Sequence, residues 1–574
     1  MNTHSPAPTT QAASAAASPA APPATAPAPT ATRNGGQILV DALRIHGADR
    51  IFGVPGESAL PIFDAMHEGE KGVRFIVCRH EANASHMAEA DGKLTGLPGL
   101  CLVSRGPGAM HATVGVHTAW QDSTPMILIV GQVPRTTRGR EGFQEINYTR
   151  VFADMAKWVG EIESADLIPE YVSRAYHIAT QGRPGPVVLS IPEDVLSSLS
   201  AVADAPAFHR AAPAPAASDM ARLRDLLQGA QRPLVIIGGS TWTAEAAGKV
   251  SAFCAASGLP VAAGFRSQDL VNNDLPHYVG HLTLGSSPAL TERVNAADVV
   301  VAIGDRLGEI TSKAYSALDV PAPKQTLIHV HPGAEELGRV YNADLPILSG
   351  MERFADALAE LEPLEPSPWT DWAQAARAEF EAYQQPPTRT AGFDLGKMIL
   401  HLREVLPDDA IIANGAGNYT VWLHRFFRYR TFGTQMAPKS GSMGYGLPGA
   451  IAAQLRHPAR TVVALAGDGC FQMASPEFAT AVHHKLPIVV IVVNNAIYGS
   501  IRMHQERHFP GRPSGTFLTN PDFAALAQSY GAHGEVVTQD SEFPAAFARA
   551  LAAGGPAIVE VRVPSNQLTP DMII

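Results

Sequence analysis

One stretch constrains this chain more than any other: Thr461 to Gly499, reading TVVALAGDGC, FQMASPEFAT, AVHHKLPIVV, IVVNNAIYG. Val462 to Ala466 is an unbroken apolar run, the pattern of a strand buried on both faces of a parallel sheet. It stops at Gly467-Asp468-Gly469, and a helical stretch follows. Ile488 to Val493 is a second such run, closed by Asn494-Asn495. Strand, crossover helix and parallel strand put polar residues at two carboxyl ends, where open α/β sheets bind ligands. The chemistry suits a diphosphate held through a hard cation. Gly467 and Gly469 let backbone N–H groups approach phosphate oxygens with no Cβ in the way. Asp468 offers a carboxylate oxygen, Asn495 an amide oxygen and Ile497 its backbone carbonyl. Mg²⁺ takes oxygen ligands of this kind and fills the remainder from phosphate and water. A lone Gly-Asp-Gly is most often a turn; the second capped strand is what makes it a site.

The chain has 574 residues, enough for three or four domains of about 150 residues. Apolar residues make up 46% and charged residues 17%, as expected of a globular enzyme. A formal net charge of −11 argues against nucleic acid as the main partner. No apolar run reaches the length of a membrane span, so no membrane partner is expected. Cys78, Cys101, Cys254 and Cys470 show no paired spacing, which fits a reducing cytoplasm. Residues 1–33 are mostly Ala, Pro, Thr and Ser and lack the basic start and apolar core of a secretory signal. They read as a disordered tail, with a cleaved targeting segment as the other possibility.

Strand-like runs then alternate with helical ones: Arg50–Val54, Val73–Cys78, Leu100–Ser104, Met126–Val130 and Pro186–Ile191, with helices predicted over Gly35–His46 and Ala82–Leu94. That alternation predicts a doubly wound parallel sheet. Glu81 stands at a strand's carboxyl end and a helix's start. A carboxylate is also favoured there by the helix dipole alone. Ala201 to Asp219 is rich in Ala and Pro and reads as a linker. New strand sets begin at Pro233–Ile237 and at Ala410–Ala413. The fold class expected is α/β, with three doubly wound parallel-sheet domains: 34–200, 220–365 after the 201–219 linker, and 390–567.

RHEANASHMAEADGKLTG, SRGPGAMHATVGVHTAWQDSTPMILIVGQVP, EGFQE and GSMGYGLP resemble segments of acetolactate-synthase-like, thiamine-diphosphate-dependent enzymes, as does the spacing of Gly-Asp-Gly and Asn-Asn. The resemblance implies a pyrimidine-binding first domain, a central domain and a diphosphate-binding third domain. Glu81 would hydrogen-bond N1′ of the cofactor's aminopyrimidine and favour its imino tautomer, so that the 4′-nitrogen takes the C2 proton. Gln144 would face substrate. Met443 would wedge between the two rings and bend the cofactor, and the Gly441 carbonyl would accept from its 4′-amino group. Gly56, Gly417, Asn418, Gly467, Gly469, Cys470, Tyr498 and Gly499 would complete the cofactor's surroundings, with Asp468, Asn495 and Ile497 on Mg²⁺. His111 stands where relatives often carry Asn; it and His117 could touch substrate or simply pack. His80 would orient Glu81 or the backbone.

Two departures bear on function. Relatives often read VDIDPAEIG in the central domain, where this chain has His329-Val330-His331-Pro332-Gly333. Both aspartates are lost, so FAD and an unused cleft stay equally open. A tryptophan that helps choose the acceptor in biosynthetic relatives is missing near His504. The expected activity is decarboxylation of a 2-oxo acid, typically pyruvate, and ligation to a second carbonyl. The alternatives are a non-ligating lyase of the benzoylformate or oxalyl-CoA decarboxylase type, a flavin-linked oxidase, and a non-catalytic cofactor-binding homologue. Because Glu81 and Asp468 fall in different domains, the resemblance implies sites at the interface of a homodimer or homotetramer.

Overall fold

The computed structural model describes residues 1–2, 31–67, 72–365, 368–387 and 392–574. Three six-stranded sheets, parallel throughout, organise the chain. The first holds β1 (Arg50–Gly53), β2 (Arg74–Val77), β3 (Gly99–Val103), β4 (Met126–Gln132), β5 (Trp158–Glu161) and β6 (Pro186–Pro192). Their order is β2-β1-β3-β4-β6-β5. The central sheet holds β7 (Pro233–Ile237), β8 (Val261–Ala263), β9 (Tyr278–His281), β10 (Val299–Ile303), β11 (Thr326–His331) and β12 (Leu345–Leu348), ordered β9-β8-β7-β10-β11-β12. The third holds β13 (Ile411–Asn414), β14 (Gln435–Met436), β15 (Val462–Gly467), β16 (Val489–Asn494), β17 (His533–Val537) and β18 (Ala557–Arg562). Its order, β14-β13-β15-β16-β18-β17, repeats that of the first sheet strand for strand. In both, the chain reverses direction across the sheet beside its first strand, between β1 and β3 and between β13 and β15. That switch point opens a crevice at the carboxyl ends.

The apolar runs become strands for the reason expected: β4, β6, β15 and β16 are buried along almost their whole length. Helix α1 (Gly35–Ile45) starts at a capping box, Asn34 and Gln37 bonding each other's backbone N–H. Helix α2 (Glu81–Thr95) and helix α4 (Gly446–Arg456) share one hydrophobic core, with Ala84, Met87 and Ala88 packed into the same cluster as Leu447, Ala450 and Ile451. The first and third domains of one chain are thus joined directly as well as through the central domain, where Arg183 bonds Glu336 and Arg266 donates to the Gly415 carbonyl.

The expected boundaries shift at three points. Residues 3–30 of the segment read as a tail lie outside the described residues, but Arg33 is already structured: it bonds Asp41 and Asp204 and starts a two-residue strand paired with Leu199–Ser200. The segment read as a linker, 201–219, runs into a helix at Ala217–Gln228. The chain does not stop at the last sheet strand either. Gln567–Thr569 pairs with Met572–Ile573, and Asp571 is bonded by Arg425. Among the described residues no helix is long and apolar enough to cross a membrane.

Candidate active site

Two half-sites lie at the two switch-point crevices. In the first, Glu81 opens α2, which is capped by His80: its Nδ1 accepts from Ala82 N at 3.1 Å. His80 therefore orients the backbone. His111, on helix α3 (Gly106–Asp122), sits with Nδ1 2.9 Å from Glu81 Oε2. Gly56 ends the β1 segment against Ser104, which leaves no room for a side chain there. Gln144 closes the crevice from a strained loop. Glu141 and Gln144 both have positive φ, 56° and 67°, a backbone cost kept at functional sites when the surroundings fix it. The Gln144 carbonyl accepts from Gly106 N at the head of α3. His117, on the same helix, shows no bond to this group.

In the second half-site, β15 ends at Asp468, which is 3% exposed. Its Oδ1 accepts from Gly469 N at 2.8 Å and its Oδ2 from Asn520 Nδ2 at 2.7 Å. Burial holds the carboxyl above the usual carboxylate range, against these hydrogen bonds and one from Ala496 N–H. A buried carboxylate with neutral donors only is the arrangement a cation relieves. Asn494, at the end of β16, donates to Glu560 and accepts from Asn520, so the two strand ends are tied through one side chain. Asn495 Oδ1 accepts from Ile497 N at 3.2 Å, in a turn where Ala496 takes φ 54°. Asp468, Asn495 and the Ile497 carbonyl are all oxygen donors, which fits Mg²⁺ and not a softer metal.

The glycines there are required by close approach. A Cβ on Gly469 would lie 2.6 Å from the Tyr498 ring, and one on Gly415 would lie 2.4 Å from Cys470 Sγ. Cys470 turns inward: its sulfur accepts from Gly444 N and from Tyr419 OH, and Tyr419 OH accepts from Gly415 N. The thiol thus binds the β13 turn to the Met443 loop, and only its backbone is available to a diphosphate. Gly417 (φ 149°) precedes Asn418, whose Oδ1 accepts from Ser500 Oγ. Asn418 is thereby fixed to the helix Gly499–His508 that follows Tyr498. Met443 packs against the third domain's core, and Gly441, exposed and at φ 70°, turns the loop before it.

Sequence reading missed the residues that hold these pieces in place. Asn520 and Glu560 brace Asp468 and Asn494 from loops and a strand far along the chain. Ser442 Oγ meets His86 Nε2 at 3.1 Å, and Tyr445 OH donates to the buried Glu89. Glu477 accepts from Arg79 N, two residues before Glu81. In the central domain His329 and His331 are buried; His329 Nε2 meets the Asp305 carbonyl and His331 Nδ1 pairs with Gly333.

Comparison with known proteins matches three family models in succession: the thiamine pyrophosphate enzyme N-terminal TPP binding domain over residues 33–151, the central domain over 220–358, and the C-terminal TPP binding domain over 415–561. The acetolactate synthase large subunit of Parasynechococcus marenigrum (strain WH8102) is 33% identical over 551 residues, covering 93% of this chain and 88% of that protein. The acetolactate synthase isozyme 2 large subunit of Escherichia coli (strain K12) is 30% identical over 540 residues, covering 92% and 95%. The acetolactate synthase large subunit of Lactococcus lactis subsp. lactis (strain IL1403) is 30% identical over 509 residues, covering 87% of each.

Proposed function

The chain belongs to the thiamine pyrophosphate enzyme family, and we propose that Glu81 and the Asp468–Asn495 cluster are the two halves of its cofactor site. It is an acetolactate synthase-like, thiamine-diphosphate-dependent carboligase and decarboxylase. When bound, the cofactor supplies a nucleophilic carbon and an electron sink, which together let a 2-oxo acid lose CO₂ and pass its remaining unit to a second carbonyl.

Asp468, Asn495 and the Ile497 carbonyl hold Mg²⁺, and through it the diphosphate. The single observation that supports this is the buried Asp468 carboxyl, which meets no cationic side chain among the described residues. Backbone groups of Gly417, Asn418, Gly467, Gly469, Cys470, Tyr498 and Gly499 line the same end, and the backbone of Gly56, packed against Ser104, lines the other. Met443, whose loop is braced through Ser442 and Gly444, would give the cofactor's rings apolar support, and the Gly441 carbonyl would accept from its amino group. Glu81 holds the proton at N1′, and Gln144 faces substrate. Pyruvate is the 2-oxo acid we assign, on the strength of the acetolactate synthase relatives.

Glu81 and Asp468 belong to different domains, and both half-sites are rimmed by exposed apolar side chains: Phe143 at 74% beside the first, Met473 at 54% and Phe517 at 70% beside the second. That rim supports a homodimer, or a dimer of dimers, in which one chain's Glu81 meets its partner's Asp468. The central domain works without flavin in this reading, because His329 and His331 bury neutral rings where a ribose would want a carboxylate; purified protein should be colourless. The assignment is tested by adding pyruvate with thiamine diphosphate and Mg²⁺ and identifying the product. Acetolactate supports it; acetaldehyde or acetate alone refutes it.

A further inference from the structure

Helix α3 addresses the Glu81 carboxyl with two residues three apart, close to one turn and on one face. They do opposite things. His111 Nδ1 reaches Glu81 Oε2 at 2.9 Å. A Cβ on Gly108 would lie 3.3 Å from Oε1, so the bare backbone there leaves the second oxygen uncovered. Glu81 is largely sheltered, its side chain 15% exposed, while His111 is 52% exposed. His111 is itself braced: its ring lies 4.5 Å from that of His80, tilted by 30°, and His80 is pinned by its cap bond to Ala82.

We propose that His111 is a positioning residue for Glu81. Its Nδ1–H donates to Oε2, fixes the rotation of the carboxyl and leaves Oε1, over Gly108, as the oxygen that meets the cofactor. The inference rests on reading Glu81 as the group that activates the cofactor. A glutamate side chain otherwise has three torsions to settle, and its terminal one is broad. Ordering it before the cofactor arrives removes that freedom from the reaction, and misplacement by about 1 Å costs on the order of a hundredfold.

The test is the rate at which the C2 hydrogen of bound thiamine diphosphate exchanges with deuterium, read by quenched NMR on the Mg²⁺-loaded enzyme, without substrate. His111→Leu should slow exchange by about tenfold to a hundredfold while cofactor affinity and melting temperature hold. His111→Asn, which keeps an N–H donor, should recover part of the loss. Glu81→Gln combined with His111→Leu should exchange no more slowly than Glu81→Gln alone, since His111 acts only through Glu81. Exchange at the wild-type rate in His111→Leu overturns the proposal, as does a further slowing in the double variant. Wild-type exchange in Glu81→Gln would instead refute the role given to Glu81, and the two failures are told apart by which single variant is silent.

Discussion

At the level of single residues, the second half-site depends on atoms that are absent as much as on those present. Gly469→Ala would push a Cβ to 2.6 Å from the Tyr498 ring. Displacing that ring costs about 1–3 kcal/mol and moves the Asn495–Tyr498 turn with it. The protein should fold, yet bind Mg²⁺ and thiamine diphosphate at least tenfold more weakly, as cofactor titration by intrinsic fluorescence would read. Asp468→Ala should abolish the metal dependence of cofactor binding altogether; unchanged affinity in Mg²⁺ would remove Asp468 from the site. Asp468 was legible in the sequence because a glycine pair frames it at the end of an apolar strand. Asn520 was not: nothing in its own neighbourhood marks it, and its contact with Asp468 exists only once β15, β16 and a distant loop converge. His111 was visible as a departure from a pattern, but its partner Glu81 lies on another helix, and no spacing rule connects the two.

At the level of elements, α2 carries two tasks on different sides. Its first residue is Glu81, while His86 and Glu89 grip the Ser442–Tyr445 loop. Glu89 is fully buried and accepts from Thr124 and Tyr445. Tyr445→Phe would leave one carboxylate oxygen short of a donor, a loss of about 1–3 kcal/mol, and would loosen the Met443 support. A lower urea midpoint together with a raised KM for the cofactor is the expected pair of results; a stability loss with the KM unmoved would separate the loop from cofactor binding. The central strands were readable because burial on both faces demands continuous apolar runs. β5 and β17 were not, since they are sheet-edge strands, mostly half-buried, and carry mixed residues such as Trp158-Val159-Gly160-Glu161.

For the whole molecule, acid is the condition to watch. Burial lowers His86, His277 and His331 to about 4 and His281 to about 3, from an ordinary 6.5. The unfolded chain binds protons as pH falls below 6.5 and the native one does not, so stability rises with pH across that window and is lost on acidification toward 4. Each group contributes about 1 kcal/mol per pH unit, so the urea midpoint should drop clearly between about pH 7.5 and about pH 5.5. A flat profile would show that these imidazoles protonate in place. Specific activity should also fall on dilution as chains separate, in step with the mass seen by light scattering. The repeated strand order of the outer sheets has a consequence of its own. Two scaffolds wound alike open equivalent crevices, yet one presents Glu81 and the other the buried Asp468 carboxyl with its ring of amides. What divides the labour is then a handful of residues at strand ends, and the underlying frame is indifferent to which half of the chemistry it is handed.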